Sequence, residues 1–316
     1  MYKYVLKRML MMIPVLIGVT FVVFFIMDLT PSDPARIILG DLAPQEQLDA
    51  LREEMGLNDN VFVRYFRYLS GLIQGDWGRS FRNNLPVFPQ VMERVPNTML
   101  LATSSMLFAL AVGVPIGILS ARKQYTAADN ISTVLAMAGA SMPSFWLGLL
   151  LVFFFTLVPA QPLFPPFGMG QGFGPLMHSL VLPTITLGTV STAIILRMTR
   201  SSMLEVMRQE YIDTVRAKGL HESKVVTHHM LKNALVPIIT VIGLQFGMLL
   251  GGAAMVETVF AWPGLGGFMV DNIRTQDIPM VMGSVVFLAI MYSIVNLVVD
   301  LLYAFVDPRI RLQYKS

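Results

Sequence analysis

Arg197–Lys232 reads RMTRSSMLEVMRQEYIDTVRAKGLHESKVVTHHMLK, a basic, helix-forming insert between two long apolar runs. The chain around it is 54% hydrophobic. An insert with seven Lys/Arg residues has to lie outside the lipid, because a charge held in the hydrocarbon core is costly. What flanks it therefore reads as membrane spans. A polar helical loop of this length is a candidate docking surface for a soluble partner.

The bulk properties agree. With 316 residues, 14% of them charged, and a mean hydropathy of +0.63, the chain falls among integral membrane proteins and outside soluble globular domains. Its net charge is only +3, so the distribution of charge says more than the total. There are no cysteines, which excludes disulfide frameworks, thiolate metal sites and cysteine nucleophiles. The N-terminal MYKYVLKRML and the apolar run to Met27 look at first like a secretory signal. That run is too long, and DLTPSDP follows it where a small-residue cleavage site would stand, so it reads as a retained first span.

A bilayer core of about 30 Å needs roughly 20 helical residues. Uncharged runs of that length predict spans at Met9–Met27, Pro96–Ala121, about 131–158, about 177–196, Asn233–Val256 and Ile278–Val299, the last extending to Phe305. The third and fourth come from one uncharged stretch, Asn130–Leu196, divided by PAQPLFPPFGMGQGFGP at Pro159–Pro175. Six spans put both termini on one side. Placing the N-terminus, the Arg122 loop, 197–232 and the C-terminal tail together collects 15 Lys/Arg against 8 elsewhere. By the positive-inside rule that side is cytoplasmic.

Outside the membrane, Pro31–Val95 is the largest segment on the opposite side. Pro44–Met55 reads as a short helix with Leu48, Leu51 and Met55 on one face and Gly56 as its stop. Phe62–Gln74 reads as a second, with Phe62, Tyr65, Leu69 and Leu72 at helical spacing. Together they form a small cap against the outer membrane face, either a structured connection or a receiver for a delivery protein. Pro14, Pro115, Pro143, Pro183 and Pro237 are helix breakers inside spans, at home either along a translocation path or in ordinary membrane helices. Gly243, Gly247 and Gly251 repeat every four residues and offer a face for close helix packing. After the fifth span, ETVFAWPGLGG at Glu257–Gly267 reads equally as an interfacial aromatic belt or as a scoop folding into a pore mouth.

Catalytic signatures are missing. No phosphate-binding G-x-x-x-x-G-K-[ST] loop, H-E-x-x-H pair or G-x-S-x-G elbow occurs. His228 and His229 are adjacent and point from different helix faces, which is poor metal geometry. His178 lies at the outer end of the fourth span as a solvated helix end, and Asp300 lies near the cytoplasmic end of the sixth, which weakens an ion-coupled carrier. The chain reads as a non-enzyme with no resident metal or cofactor and no nucleic-acid function, whose energy comes from another chain.

Within the loop, Met203, Met207, Tyr211 and Val215 recur every four residues with Leu204 beside them, an apolar stripe on one helix from Ser202 to Lys218. Gly219 ends it at the position where a left-handed cap favours glycine. His221–Leu231 begins a second helix running into the fifth span, with Val225, Val226 and Met230 apolar. The product is either a docking knob or a loop packed on its own protein.

These residues resemble the signature of permease subunits of ATP-binding-cassette importers, E-A-A-x-x-x-G, nine residues, then I-x-L-P. Asp213, Thr214 and Val215 occupy the first three places, Gly219 matches the glycine and Leu231 the leucine, while His229 and Lys232 depart from the pattern. YIDTVRAKGL, HHMLKNALVP, RMTRSSMLEV, ETVFAWPGLGG, NLVVDLLYAFVDPRIR, PSDPAR and GDWGRSF together resemble the dipeptide, oligopeptide, glutathione and nickel branch over nearly the whole chain.

The resemblance implies an all-α integral membrane protein with six transmembrane helices, the type I importer permease fold and a small helical periplasmic cap. It divides the chain into 1–30, 31–95, 96–306 and a cytoplasmic tail 307–316. Tyr211, Asp213, Thr214, Arg216, Ala217, Lys218, Gly219 and Leu220 become the expected ATPase-coupling loop. Glu257, Phe260, Trp262, Pro263, Gly264, Leu265 and Gly266 become candidates for docking and substrate handover. Its implied partners are a homologous permease in a heterodimer, two cytoplasmic ATPase subunits that bind ATP and Mg, an external substrate-binding protein, and the lipid of a bacterial or archaeal cytoplasmic membrane. The competing reading is an ion-coupled carrier or channel.

Overall fold

The computed structural model describes residues 2–29, 33–40 and 42–306, without the side chains of 2–5, 7, 300 and 302–306. The tail 307–316 and the side chain of Asp300 lie outside the described residues. The chain is helical: α1 (Tyr2–Leu29), α2 (Pro34–Leu39), α3 (Gln45–Glu54), α4 (Val61–Ile73), α5 (Val87–Arg122), α6 (Ala127–Ser141), α7 (Ser144–Val152), α8 (Phe173–Met207), α9 (Glu210–Ala217), α10 (Glu222–Lys224), α11 (Leu231–Val259), α12 (Leu265–Arg274) and α13 (Ile278–Val306). Wider π-type turns continue α7 over Phe153–Leu157 and join α10 to α11 over Val225–Met230. The contacts separate into a central unit, 99–262 with 294 onward, and a flanking unit, 2–98 with 263–293.

In the flanking unit the two expected cap helices are present within a residue of their predicted ends. Asp33 caps α2 by accepting from the Ala35 amide at 3.2 Å, and Pro34 supplies a first helical residue whose missing N–H is no loss. Arg52 on α3 reaches back to Asp33 at 2.5 Å and ties the two short helices together. Beside this guanidinium the Asp33 carboxyl is held below its ordinary range. α4 packs along α1 to the depth of Ile17: the Tyr65 hydroxyl donates to the Ile17 carbonyl at 2.8 Å and meets the Thr20 hydroxyl at 2.9 Å. Phe21 and Phe24 set their ring edges against Tyr65. The buried Thr20 is satisfied inside an apolar helix, where an unpaired hydroxyl would be costly.

α5 starts nine residues before the predicted span, because Val87 and Val91 are buried against Leu265 and Met280. Further along the same unit, Asp277 is 1% exposed and accepts from the Ser80 hydroxyl at 2.5 Å and the Phe81 amide at 3.2 Å.

In the central unit α8 is the hub, with buried residues along its length from Ser179 to Val206. α5 closes on it through glycine. A Cβ on Gly113 would stand 2.9 Å from the Thr192 carbonyl oxygen, and one on Gly117 would stand 2.7 Å from that of Leu196. Here the neighbours are backbone carbonyls, which cannot move aside as a side chain can. Gly243 does pack on Val299 of α13, and Gly247 is buried, but Gly251 is exposed with open space beside it. Ser191 of α8 bonds Gln245 of α11 at 3.2 Å, giving two buried polar side chains each other as partners.

Of the five prolines read as helix breakers, one ends a helix. The predicted third span is bent at Pro143, where α6 and α7 meet at an angle of 102°. Met142 is extended (φ −80, ψ 133) immediately before Pro143, as the ring of a proline demands of its predecessor. Among the described residues five helices are long and apolar enough to cross a membrane, six crossings if this bent pair is one. Conversely Pro14, Pro115, Pro183 and Pro237 all sit inside continuous helices and break nothing.

Candidate functional site

The first eleven residues of the Arg197–Lys232 stretch belong to α8, which runs on from the apolar span to Met207. The helix breaks at Arg208–Gln209, where Gln209 is extended (φ −83, ψ 136), and α9 begins at Glu210. The expected single helix from Ser202 to Lys218 is therefore two. That break shifts the phase of the apolar face: Met203 is fully buried, but on α9 the deepest side chain is Ile212, which the four-residue stripe passes over, while Tyr211 and Val215 are half-buried. Ile212 packs with Val225, Val226 and Met230 of the returning segment and with Ala121 of α5. The loop has a small apolar core of its own.

The turn lies between α9 and α10. Gly219 has φ +77 and its amide donates to the Arg216 carbonyl at 2.9 Å, the left-handed helix end that any residue with a Cβ would strain. His221 then starts the next helix by accepting from the Ser223 amide on Nδ1 at 3.3 Å. Two polar ties close the turn. Arg216 forks onto Glu222 across it, at 3.3 and 3.1 Å, and also reaches Asp213 at 3.4 Å. Behind it the Tyr211 hydroxyl donates to the His229 carbonyl at 3.2 Å and accepts from Asn233 Nδ2 at 2.6 Å.

The expected coupling residues thus separate into two kinds. Asp213, Thr214, Arg216, Ala217, Lys218 and Gly219 are exposed, and nothing stands within 4 Å of where a Gly219 side chain would begin. Tyr211 and Leu220 are half-buried and pack on the loop core. The exposed set is a convex tip; the half-buried pair belongs to what stiffens it.

The Glu257–Gly266 segment is placed differently. Glu257, Phe260 and Trp262 are 1%, 1% and 3% exposed, so the aromatic rings do not form an interfacial belt. In the central unit Phe260 accepts from the Gly168 amide at 2.7 Å and its ring closes on Gly148, while the Trp262 amide donates to the Glu257 carbonyl at 2.8 Å. In the flanking unit the Pro263 carbonyl accepts from Asn97 at 2.8 Å, and the Leu265 amide donates to the buried Thr98 hydroxyl at 2.8 Å. Gly264 and Gly266 are buried there. Among the described residues no group of His, Asp and Glu side chains is placed to hold a metal ion.

A feature that the sequence did not reveal lies near the loop. Asp129, at the start of α6, is 3% exposed and receives Arg200 of α8 through two bonds of 2.7 Å, with the Ser120 hydroxyl and the Tyr125 amide as further donors. Arg200 is three residues from Met203 in the loop core. The partners are 71 residues apart, with no local pattern to announce them.

Comparison with known proteins decides the family. Residues 113–312 match the binding-protein-dependent transport system inner membrane component, and residues 1–102 match the N-terminal region of the membrane component of such systems. The chain belongs to this family. It is 41% identical to the dipeptide transport system permease protein DppB of Alkalihalophilus pseudofirmus, over 98% of this chain and 100% of that one. It is 39% identical to the oligopeptide transport system permease protein AppB of Bacillus subtilis, over 98% and 99%. The same identity and coverage hold for the glutathione transport system permease protein GsiC of Salmonella paratyphi A. In fold it matches a chain of the inward-facing MetNI methionine ABC transporter with a TM-score of 0.55 and 18% identity, over 70% of this chain and 97% of that one. The protein is a multi-pass, non-catalytic permease component of an inner membrane with the type I importer permease fold.

Proposed function

We propose that this chain forms half of the membrane path of an ATP-driven importer for peptides or a peptide-like solute, and that the Gly219 turn seats in a groove of a separate ATPase subunit. The observation that carries the reading is the tip itself: exposed and unobstructed at Lys218–Gly219, yet backed by a buried core and two polar ties. A tip that only filled space on its own protein would not be left uncovered. α8 leads into it and α11 out of it, so a push on the tip reaches two long helices. ATP and Mg, held by the ATPases, favour one arrangement of the pair, and the stiff loop carries that differential affinity into the membrane.

The relatives' names, dipeptide, oligopeptide and glutathione systems, support a peptide-like substrate. In this reading a homologous permease completes a heterodimer, two ATPases dock below, and a binding protein delivers substrate to the cap and to the Glu257–Gly266 segment. Both termini are cytoplasmic with six crossings, on the strength of the 15 to 8 division of Lys/Arg.

Gly219→Trp tests the docking. The variant should insert and assemble in the membrane yet lose at least about tenfold in ATP-driven uptake, a change of roughly 1.4 kcal/mol in coupling. Uptake at the unmodified rate would remove the tip from the coupling path.

A further inference from the structure

Between α6 and α8 of the central unit lies a cleft of about 450 Å³. It has two chemically different ends. At one end stand Tyr125, Asp129, Asn130, Thr133, Arg197 and Arg200; beyond them the walls are apolar, Val134 to Ala140 of α6 with Ala193 and Leu196 of α8. The two helices run antiparallel and touch at both limits: Asp129 meets Arg200 at the polar end, and ten residues on, a Cβ at Gly139 would stand 2.8 Å from Thr189. Ten helical residues rise about 15 Å, half of a bilayer core of about 30 Å. The cleft between those two contacts is long enough for part of an acyl chain.

Its charge is not balanced. Asp129 is the only carboxylate in the lining and is consumed by Nε and Nη2 of Arg200. Nη1 of Arg200 keeps its donors, and Arg197, which is exposed, has no ion pair or hydrogen bond among the described residues. Arg122 and Lys123 are exposed on the adjoining turn. Val134 and Met137 are 64% and 57% exposed at the open side, so the apolar channel faces outward from the helix pair. A peptide would bring an ammonium group to a site with no free carboxylate, whereas a molecule with one anionic head and an apolar tail matches both ends.

We propose that this cleft holds one anionic phospholipid, with its phosphate against Arg197 and the free edge of Arg200 and an acyl chain along the α6–α8 channel. Basic pockets between membrane helices recognise such headgroups by charge, while chain burial supplies the rest of the affinity. Because Arg200 also anchors the base of the Gly219 loop, an occupied site braces α6 against α8 where that loop begins.

The test uses the full-length chain in mild detergent, with phosphatidylglycerol and phosphatidylcholine of matched acyl chains added in turn and bound lipid counted by native mass spectrometry. The site predicts about fivefold preference for phosphatidylglycerol, the size expected for one basic side chain at an anionic headgroup. Arg197→Gln should clearly reduce the preference, Arg197→Lys should keep it, and Ala136→Phe should lower retention of both. Arg197 is exposed, so the two changes at that position leave folding intact. Equal binding of the two lipids, an unchanged preference in Arg197→Gln, or displacement by inorganic phosphate as effective as by lipid would each overturn the proposal. So would failure of the chain to retain any lipid.

Discussion

Asp129 and Asp277 are both buried carboxylates, one in each unit, and they are satisfied in opposite ways. Asp129 has a guanidinium on it, two bonds of 2.7 Å from Arg200, with Ser120 and an amide completing the shell. Asp277 has no Lys or Arg partner among the described residues and relies on a hydroxyl and an amide. A buried charge is tolerated only when neighbours replace the lost water, and either a counter-charge or well-aimed neutral donors will serve. What differs is the penalty for disturbance. Breaking a buried ion pair strands the second charge, whereas losing one neutral donor leaves the carboxylate with another.

The largest effect is therefore expected at Arg200. Arg200→Leu should lower stability by about 3 kcal/mol, the low end for a broken buried pair because Arg200 keeps some water contact. Thermal unfolding in detergent measures it, and Arg200→Leu combined with Asp129→Leu should recover most of the loss. A double variant no more stable than the single one would show that geometry, not the stranded charge, sets the cost. Next comes Ser80→Ala, expected to cost about 2 kcal/mol as one charge-assisted bond. If it cost as much as Arg200→Leu, the distinction between the two carboxylates would disappear.

The smallest effect belongs to a third aspartate, Asp33, which pairs with Arg52 near the surface. Its carboxyl is held below the ordinary value of 3.8 by that partner. The contribution is therefore complete above pH of about 4 and is lost as pH falls through the lowered folded value. Hydrogen exchange over α2 and α3 should be flat from neutral pH down to about 4 and rise only below it. Arg52→Gln should abolish that pH dependence; loosening that already begins near pH 6 would point to another group.

Much of this architecture was legible because it is local. Gly56 and Gly219 are helix stops that the next residues alone predict, and both have positive φ. The short helices α3 and α4 followed from apolar spacing of three and four residues. Pro143 was read as a breaker, but in sequence it looks like the four prolines that the helices absorb. The difference lies in whether the preceding residue is released from the helix, which packing decides. Ile212 was missed because a spacing of four was extended through the break at Arg208–Gln209. The two aspartate sites join residues 71 and 197 positions apart and carry no local signature. The tip was legible for the opposite reason: a glycine turn and its flanking apolar positions are all within about twenty residues.

The most direct measurement of the central claim is site-specific photo-crosslinking in native membranes. A crosslinking side chain at the exposed Lys218 should capture an ATPase subunit, and capture should change when ATP is bound and trapped. The same group at exposed Arg82, in the flanking unit, should capture none. Capture of the ATPase from Arg82 or from the Arg122 turn, with none from Lys218, would contradict the assignment of the Gly219 tip as the point where ATP-driven motion enters the membrane helices.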